Sequence, residues 1–190
     1  MMKKFVVTLL IIFSGLFFAG AGVAALLNAS PNWEKQTLKV YIQKDSYSDM
    51  MQRAFQKWID KCSGRLKIEF VANSPADIEV NFAEETDKTD GDIGSYSLIV
   101  KGGHITKAKI TIAPNPERNS NNLIYTVMLH EVGHALGLSD STRKLGIMST
   151  PVTENQDIIN NDVYKLFRLN GWSFIDKNIQ SSVSQDVISE

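Results

Sequence analysis

The chain has 190 residues, 43% of them hydrophobic, and 20 Lys and Arg against 21 Asp and Glu give a formal net charge of −1. That length suits one globular domain, and the charge balance offers no basic surface on which to expect nucleic acid as a partner. Cys62 is the only cysteine, so no intrachain disulfide forms and the domain must hold from its core and any bound metal.

Met1-Met2-Lys3-Lys4 gives the N-terminus a basic start, followed by an apolar run from Phe5 to about Ala19 and small residues through Ala25. This is the layout of a secretory signal. The apolar character continues to Leu27, about 23 residues in all, which is also enough for an uncleaved membrane anchor. Residues 1–25 are therefore expected to be a signal peptide or an anchor, and both readings put the remainder of the chain outside the cytoplasm. Residues 26–36 read as a linker.

Leu38, Val40 and Ile42 alternate with Lys39, Tyr41 and Gln43, the pattern of a half-buried strand. Ser46 to Cys62 reads as an amphipathic helix ended by Ser63-Gly64. Cys62 shares its stripe with Met51, Phe55, Trp58 and Ile59, which points to buried packing rather than a reactive thiol. Leu66, Ile68 and Phe70 mark a second strand, and Ile78, Val80 and Phe82 a third. Asp87, Asp90 and Asp92 flank Gly91 in a loop that could hold calcium, although the spacing is not that of an EF-hand and a solvated acidic turn is the competing reading. Ser95 to Val100 is expected as a fourth strand and Ile105 to Ile112 as a fifth, with Lys107, Lys109 and Thr111 outward. Between them Gly102-Gly103-His104 forms a turn, with His104 an exposed turn residue rather than a ligand. This β-α-β-β-β order suits an α/β sheet of mixed direction. Residues 173–190 are polar and serine-rich and read as a loose tail.

The chemistry sits in His130-Glu131-Val132-Gly133-His134-Ala135-Leu136-Gly137-Leu138-Ser139-Asp140. The apolar run Leu123 to Leu129 leads into it and can bury one face of a helix. His130 and His134, four apart, project from the same face and can share one zinc ion. Glu131 can then reach a water at the metal without ligating it, as a general base must. Gly137 lets the chain leave the helix and swing back, so that Asp140 can supply a third donor. A fourth position left for water separates a catalytic zinc from a structural one. Met148, in the short turn Gly146 to Pro151, can fold beneath the metal, though a lone methionine is also ordinary core packing.

These residues resemble the metzincin metallopeptidases, and within them the matrixins, which carry H-E-x-x-H-x-x-G-x-x-H followed by a Met-turn. Asn161-Asp162 through Gly171 is similar to the matrixin C-terminal helix, and the resemblance spans about residues 37–172. It implies an α/β (α+β), zincin-like fold: a twisted five-stranded mixed sheet with an antiparallel edge strand, an active-site helix, a Met-turn and a C-terminal helix. It also implies a zinc-dependent metalloendopeptidase whose substrate is a peptide or protein in extended form. Tyr96, Ser97 and Leu98 would pair with that substrate by strand addition. Pro151 and its neighbours Thr150, Val152 and Thr153 would shape the pocket for the side chain just past the cut bond.

Three departures stand out. The third ligand is Asp140 instead of histidine, as in the snapalysin-like branch. Only three histidines are present, too few for the second, structural zinc of vertebrate matrixins. No cysteine precedes Cys62, so latency through a propeptide thiolate is not expected. The implied protein is a monomer that meets a membrane only through its N-terminal segment. The alternative is a metal-binding interaction module of the same fold without turnover; the presence of Glu131 weighs against it, since binding needs no general base.

Overall fold

The computed structural model describes residues 30–86, 92–142 and 146–172. All five strands expected from the alternation form: β1 (Thr37–Ile42), β2 (Lys67–Val71), β3 (Ile78–Phe82), β4 (Gly94–Lys101) and β5 (His104–Ile112). The helices are α1 (Ser48–Lys61), α2 (Asn121–Ala135) and α3 (Asn160–Asn170). The strands make one sheet of order β2-β1-β3-β5-β4. β1 runs parallel to β2 and β3, β3 runs parallel to β5, and β4 alone is antiparallel, paired with β5. Parallel neighbours need a crossover, and α1 supplies it between β1 and β2. A two-glycine turn suffices for the β4–β5 hairpin, which leaves β4 at the sheet edge.

α1 buries Met51, Ala54, Phe55 and Trp58 against the sheet and α2. The Trp58 indole Nε1 donates to the Leu129 carbonyl at 2.9 Å, so a large apolar side chain crosses the core with its one polar atom satisfied. The helix begins at Ser48, two residues later than its amphipathic pattern suggests. Asp45 holds the preceding turn by accepting from the Tyr47 amide at 3.0 Å, while its own amide donates to Ser48 Oγ at 2.7 Å. α2 is buried on nearly every side from Thr126 onward, as expected of a helix that is apolar all round.

Residues 30–36, expected as part of a linker, are docked on the domain instead. Trp33 is 1% exposed; its Nε1 donates to Ala135 O at 2.9 Å and its amide to Asn170 Oδ1 at 2.6 Å. Asn32 adds a bridge to His104 at the hairpin turn. One tryptophan with both polar groups satisfied outweighs the polar character of its neighbours. Thr111 also departs from expectation, being 8% exposed beside its equally shielded cross-strand partner Ser95. Thr111 sits on an interior strand with Asn81 on one flank and Ser95 on the other, and its short side chain does not reach past its surroundings to solvent. Phe70, on the edge strand β2, stays exposed on one side and meets Phe55 edge-on at 6.1 Å.

Among the described residues no helix is long and apolar enough to cross a membrane. The signal or anchor segment, the tail at 173–190, and Asp87, Asp90 and Gly91 of the acidic loop lie outside the described residues. Cys62 is in the core at 1% exposure, as its stripe implied, and burial pushes its thiol up to about 12. The thiolate is the reactive species. In the native protein at neutral pH, Cys62 will therefore resist a thiol reagent such as DTNB and react fully once the chain is unfolded in guanidinium. Rapid modification of the folded protein would contradict this packing.

Candidate metal centre and active site

Ser120 starts α2: its Oγ accepts from the Leu123 amide at 3.1 Å and satisfies one of the free amides of the first turn. The helix ends at Ala135 and the chain leaves it through Gly137, whose φ of +105° is open to glycine at no steric cost. Space makes the same demand there, since a Cβ would stand 3.1 Å from both Pro31 O and a Leu169 methyl. Between these two ends the helix presents His130 and His134, both fully buried, with their Nε2 atoms 2.9 Å apart.

Each imidazole is held by its other nitrogen. His130 Nδ1 lies 2.8 Å from Ile147 O, and His134 Nδ1 lies 2.8 Å from Leu138 O. A carbonyl only accepts, so the ring protons belong on Nδ1 and both Nε2 lone pairs face the same space. Beyond Gly137 the chain turns back, the Leu138 amide donating to Gly133 O at 3.0 Å. Asp140 Oδ1 then stands 3.3 Å from both Nε2 atoms. Donors about 2.0–2.1 Å from a tetrahedral zinc are separated by about 3.3 Å, so this triangle of donors fits the ion. Burial acts to raise the Asp140 carboxyl, but its interactions with the two imidazoles beside it outweigh burial and hold the group well below the usual carboxylate range. For His130, burial acts to lower the pKa, while Asp140, Glu131 and Ile147 together raise it. Among the described residues this is the one group of three acidic, His or Cys side chains spaced to hold a metal. Asp92, the described part of the acidic loop, belongs to no such group, and His104 lies apart at the hairpin turn, 2.8 Å from Asn32 Oδ1.

Glu131 is 2% exposed and lies against the start of β4. A Cβ on Gly94 would stand 2.8 Å from Glu131 Cγ and 3.0 Å from its Oε1, so only glycine lets the strand pass this close. Two residues on, the Tyr96 ring stacks on His134 with centroids 3.9 Å apart and planes 14° from parallel. The structure thus brings Tyr96 to the site. Leu98 is buried on the same face, whereas Ser97 is half-buried on the other. Pro151 is exposed, three residues beyond Met148.

Met148 is 1% exposed and lies under the helix, where it packs against Gly133, the residue just before His134. Its carbonyl accepts from the Ser141 amide at 2.7 Å, tying the turn to the segment that carries Asp140. The same turn is pinned from α3. Asp162, 1% exposed, accepts from the Ile147 and Ile159 amides, each at 3.2 Å. Ile147 therefore receives Asp162 at its amide and His130 at its carbonyl.

Sequence reasoning missed Gly133, Gly94 and Trp33. The signal at Gly133 was its place between the two histidines on a helix, where glycine is disfavoured without a packing reason. A Cβ there would collide with Met148 Sδ and stand 3.1 Å from the Trp58 ring. Gly133→Ala will consequently lower stability by about 1–3 kcal/mol, as overpacking does. Combined with Met148→Ala it will cost less than the two single changes summed, because they share a contact. Denaturant unfolding of the four proteins checks this; strict additivity would mean the two residues do not oppose each other.

No curated protein gives a match to the chain. A family model does, over residues 32–170, from the bridge at Asn32 to the last residue of α3. That span contains the sheet, the three converging donors, the Met148 turn and the Asp162 helix, and the family is Matrixin: the chain belongs to the matrixin family of metallopeptidases.

Proposed function

We propose that this protein is a zinc-dependent endopeptidase whose metal ligands are His130, His134 and Asp140 and whose general base is Glu131. The convergence of three donor atoms beside a buried carboxylate carries this reading. Membership of the matrixins supports zinc as the metal. When bound, zinc supplies a Lewis acid that acidifies water and polarises the scissile carbonyl. Glu131 takes the proton of the attacking water and delivers it to the leaving amine. Ile147 O and Leu138 O keep the two rings in the ligating tautomer through that cycle. Asp140 partly neutralises the ion and weakens it as a Lewis acid relative to a third imidazole. Two histidines with one carboxylate nevertheless form the working set of thermolysin and carboxypeptidase A.

The outer edge of β4, the last strand of the sheet, accepts an extended peptide by strand addition, with Tyr96, Ser97 and Leu98 as the pairing stretch. Pro151 and its neighbours bound the pocket for the side chain past the cut. Matrixins are typically extracellular or membrane-associated, and the basic-then-apolar N-terminus supports export of this domain, tethered or released. The acidic loop is not assigned calcium.

Wild type will cleave an unstructured protein such as casein, and Glu131→Ala will reduce the rate by about 10²–10⁴-fold while still carrying zinc. Cleavage unaffected by that substitution would remove Glu131 as the base. Asp140→His will keep measurable activity. Asp140→Ala will lose zinc at a chelator concentration that wild type resists; equal retention, read by elemental analysis, would take Asp140 out of the ligand set.

A further inference from the structure

A cavity of about 750 Å³ opens beside the candidate metal centre and shares Asp140 and Met148 with it. Its lining includes the β4–β5 turn, with Gly103 and His104, the latter 3.5 Å from the exposed Glu34 carboxylate, and the exposed face of α3, with Lys165 and Arg168. Neither cation forms an ion pair among the described residues. The only described carboxylate lining the cavity is Asp140, whose charge goes to the metal in the proposed peptidase. Among the described lining residues the remaining formal charge is that of the two cations. Thr150, Pro151 and Val152 do not line it, so it lies away from the segment just past the Met148 turn.

Antiparallel pairing, which is the more stable kind per residue and the kind β4 already makes with β5, gives a bound peptide its direction. β4 runs from Gly94 toward the turn at Gly102, and the cavity lies at the turn end. A peptide added antiparallel to β4 has its N-terminal part at that end. We propose that this cavity is a subsite for an acidic side chain, Asp or Glu, on the N-terminal side of the cut bond, with Lys165 and Arg168 as the recognising charges. The inference rests on the peptidase reading in so far as a bond is cut, but the cavity's preference for a carboxylate does not need turnover.

The test uses the full-length protein and peptides of one core sequence carrying Glu, Gln or Lys at each of the four positions before the cut. At one position Glu will exceed Gln in kcat/KM by about fivefold, the scale of an exposed ion pair near 1 kcal/mol, and Lys will fall below both. The preference will shrink at high salt and invert in Lys165→Glu/Arg168→Glu. Both residues are exposed, but Lys165 also favours the charge of the buried Asp162. Arg168→Glu alone is therefore measured beside the double variant and should reduce the preference with Lys165 in place; a preference unchanged in both variants would overturn the subsite. A second measurement needs no catalysis: fluorescence anisotropy of the same labelled peptides on Glu131→Ala should give the same order of affinity. Cleavage with no charge preference at any position, or a preference that the double variant leaves intact, would overturn the subsite. Charge-ordered binding without any cleavage by wild type would sustain the subsite and sink the peptidase reading instead. Absence of both cleavage and charge-ordered binding would overturn the subsite too.

Discussion

Two backbone carbonyls govern the candidate metal centre. Ile147 O and Leu138 O fix the proton of each imidazole on Nδ1, and only then do two Nε2 lone pairs meet 2.9 Å apart in a buried space. Without those acceptors either ring could carry its proton on Nε2 and would face its neighbour as a donor, useless to a cation. The two carbonyls are supplied differently. Leu138 O comes from the helix's own exit, four residues past His134, so the ligand and its orienting group are built by one local turn. Ile147 O comes from a separate segment that must be brought under the helix and held there.

That second requirement explains much of the surrounding structure. The Met148 turn is fastened from above by its side chain against Gly133, from the side by Ser141, and from below by Asp162. Asp162 is buried, and burial raises its pKa, a cost offset by the amides of Ile147 and Ile159 that it accepts from. The same carboxylate caps α3, so the helix and the turn share one anchor. α3 in turn receives Trp33 through Asn170. Positions from Trp33 to Asn170, 137 residues apart in sequence, thus lie on one connected path to His130.

How much of this is legible in the sequence depends on whether the cause is local. Strands declared by alternation form with the expected bounds to within a residue or two, because period-two burial is a property of consecutive residues. The three donors are legible for the same reason, since helix geometry and one glycine decide where they go. Gly133 and Gly94 are not, because their meaning depends on Met148, Val127 and Glu131, partners brought up by tertiary packing. Thr111 and Trp33 defy their local pattern on the same grounds. Outwardness on a strand and linker character are statements about neighbours, and composition does not name neighbours.

The edge strand shows how a remote element can be kept in step with the metal. β4 touches the helix at two places two residues apart: at Gly94, where the absence of a side chain lets the backbone lie on Glu131, and at Tyr96, whose ring covers His134. A shift of one residue would replace both contacts at once, putting Ser95 against a space sized for a hydrogen atom and turning Tyr96 to the other face. The register of β4 on β5 therefore also sets its register on the helix. In the proposed peptidase that alignment fixes where the backbone of an added peptide runs relative to the metal, and the pockets that take its side chains then decide which of its bonds lies there.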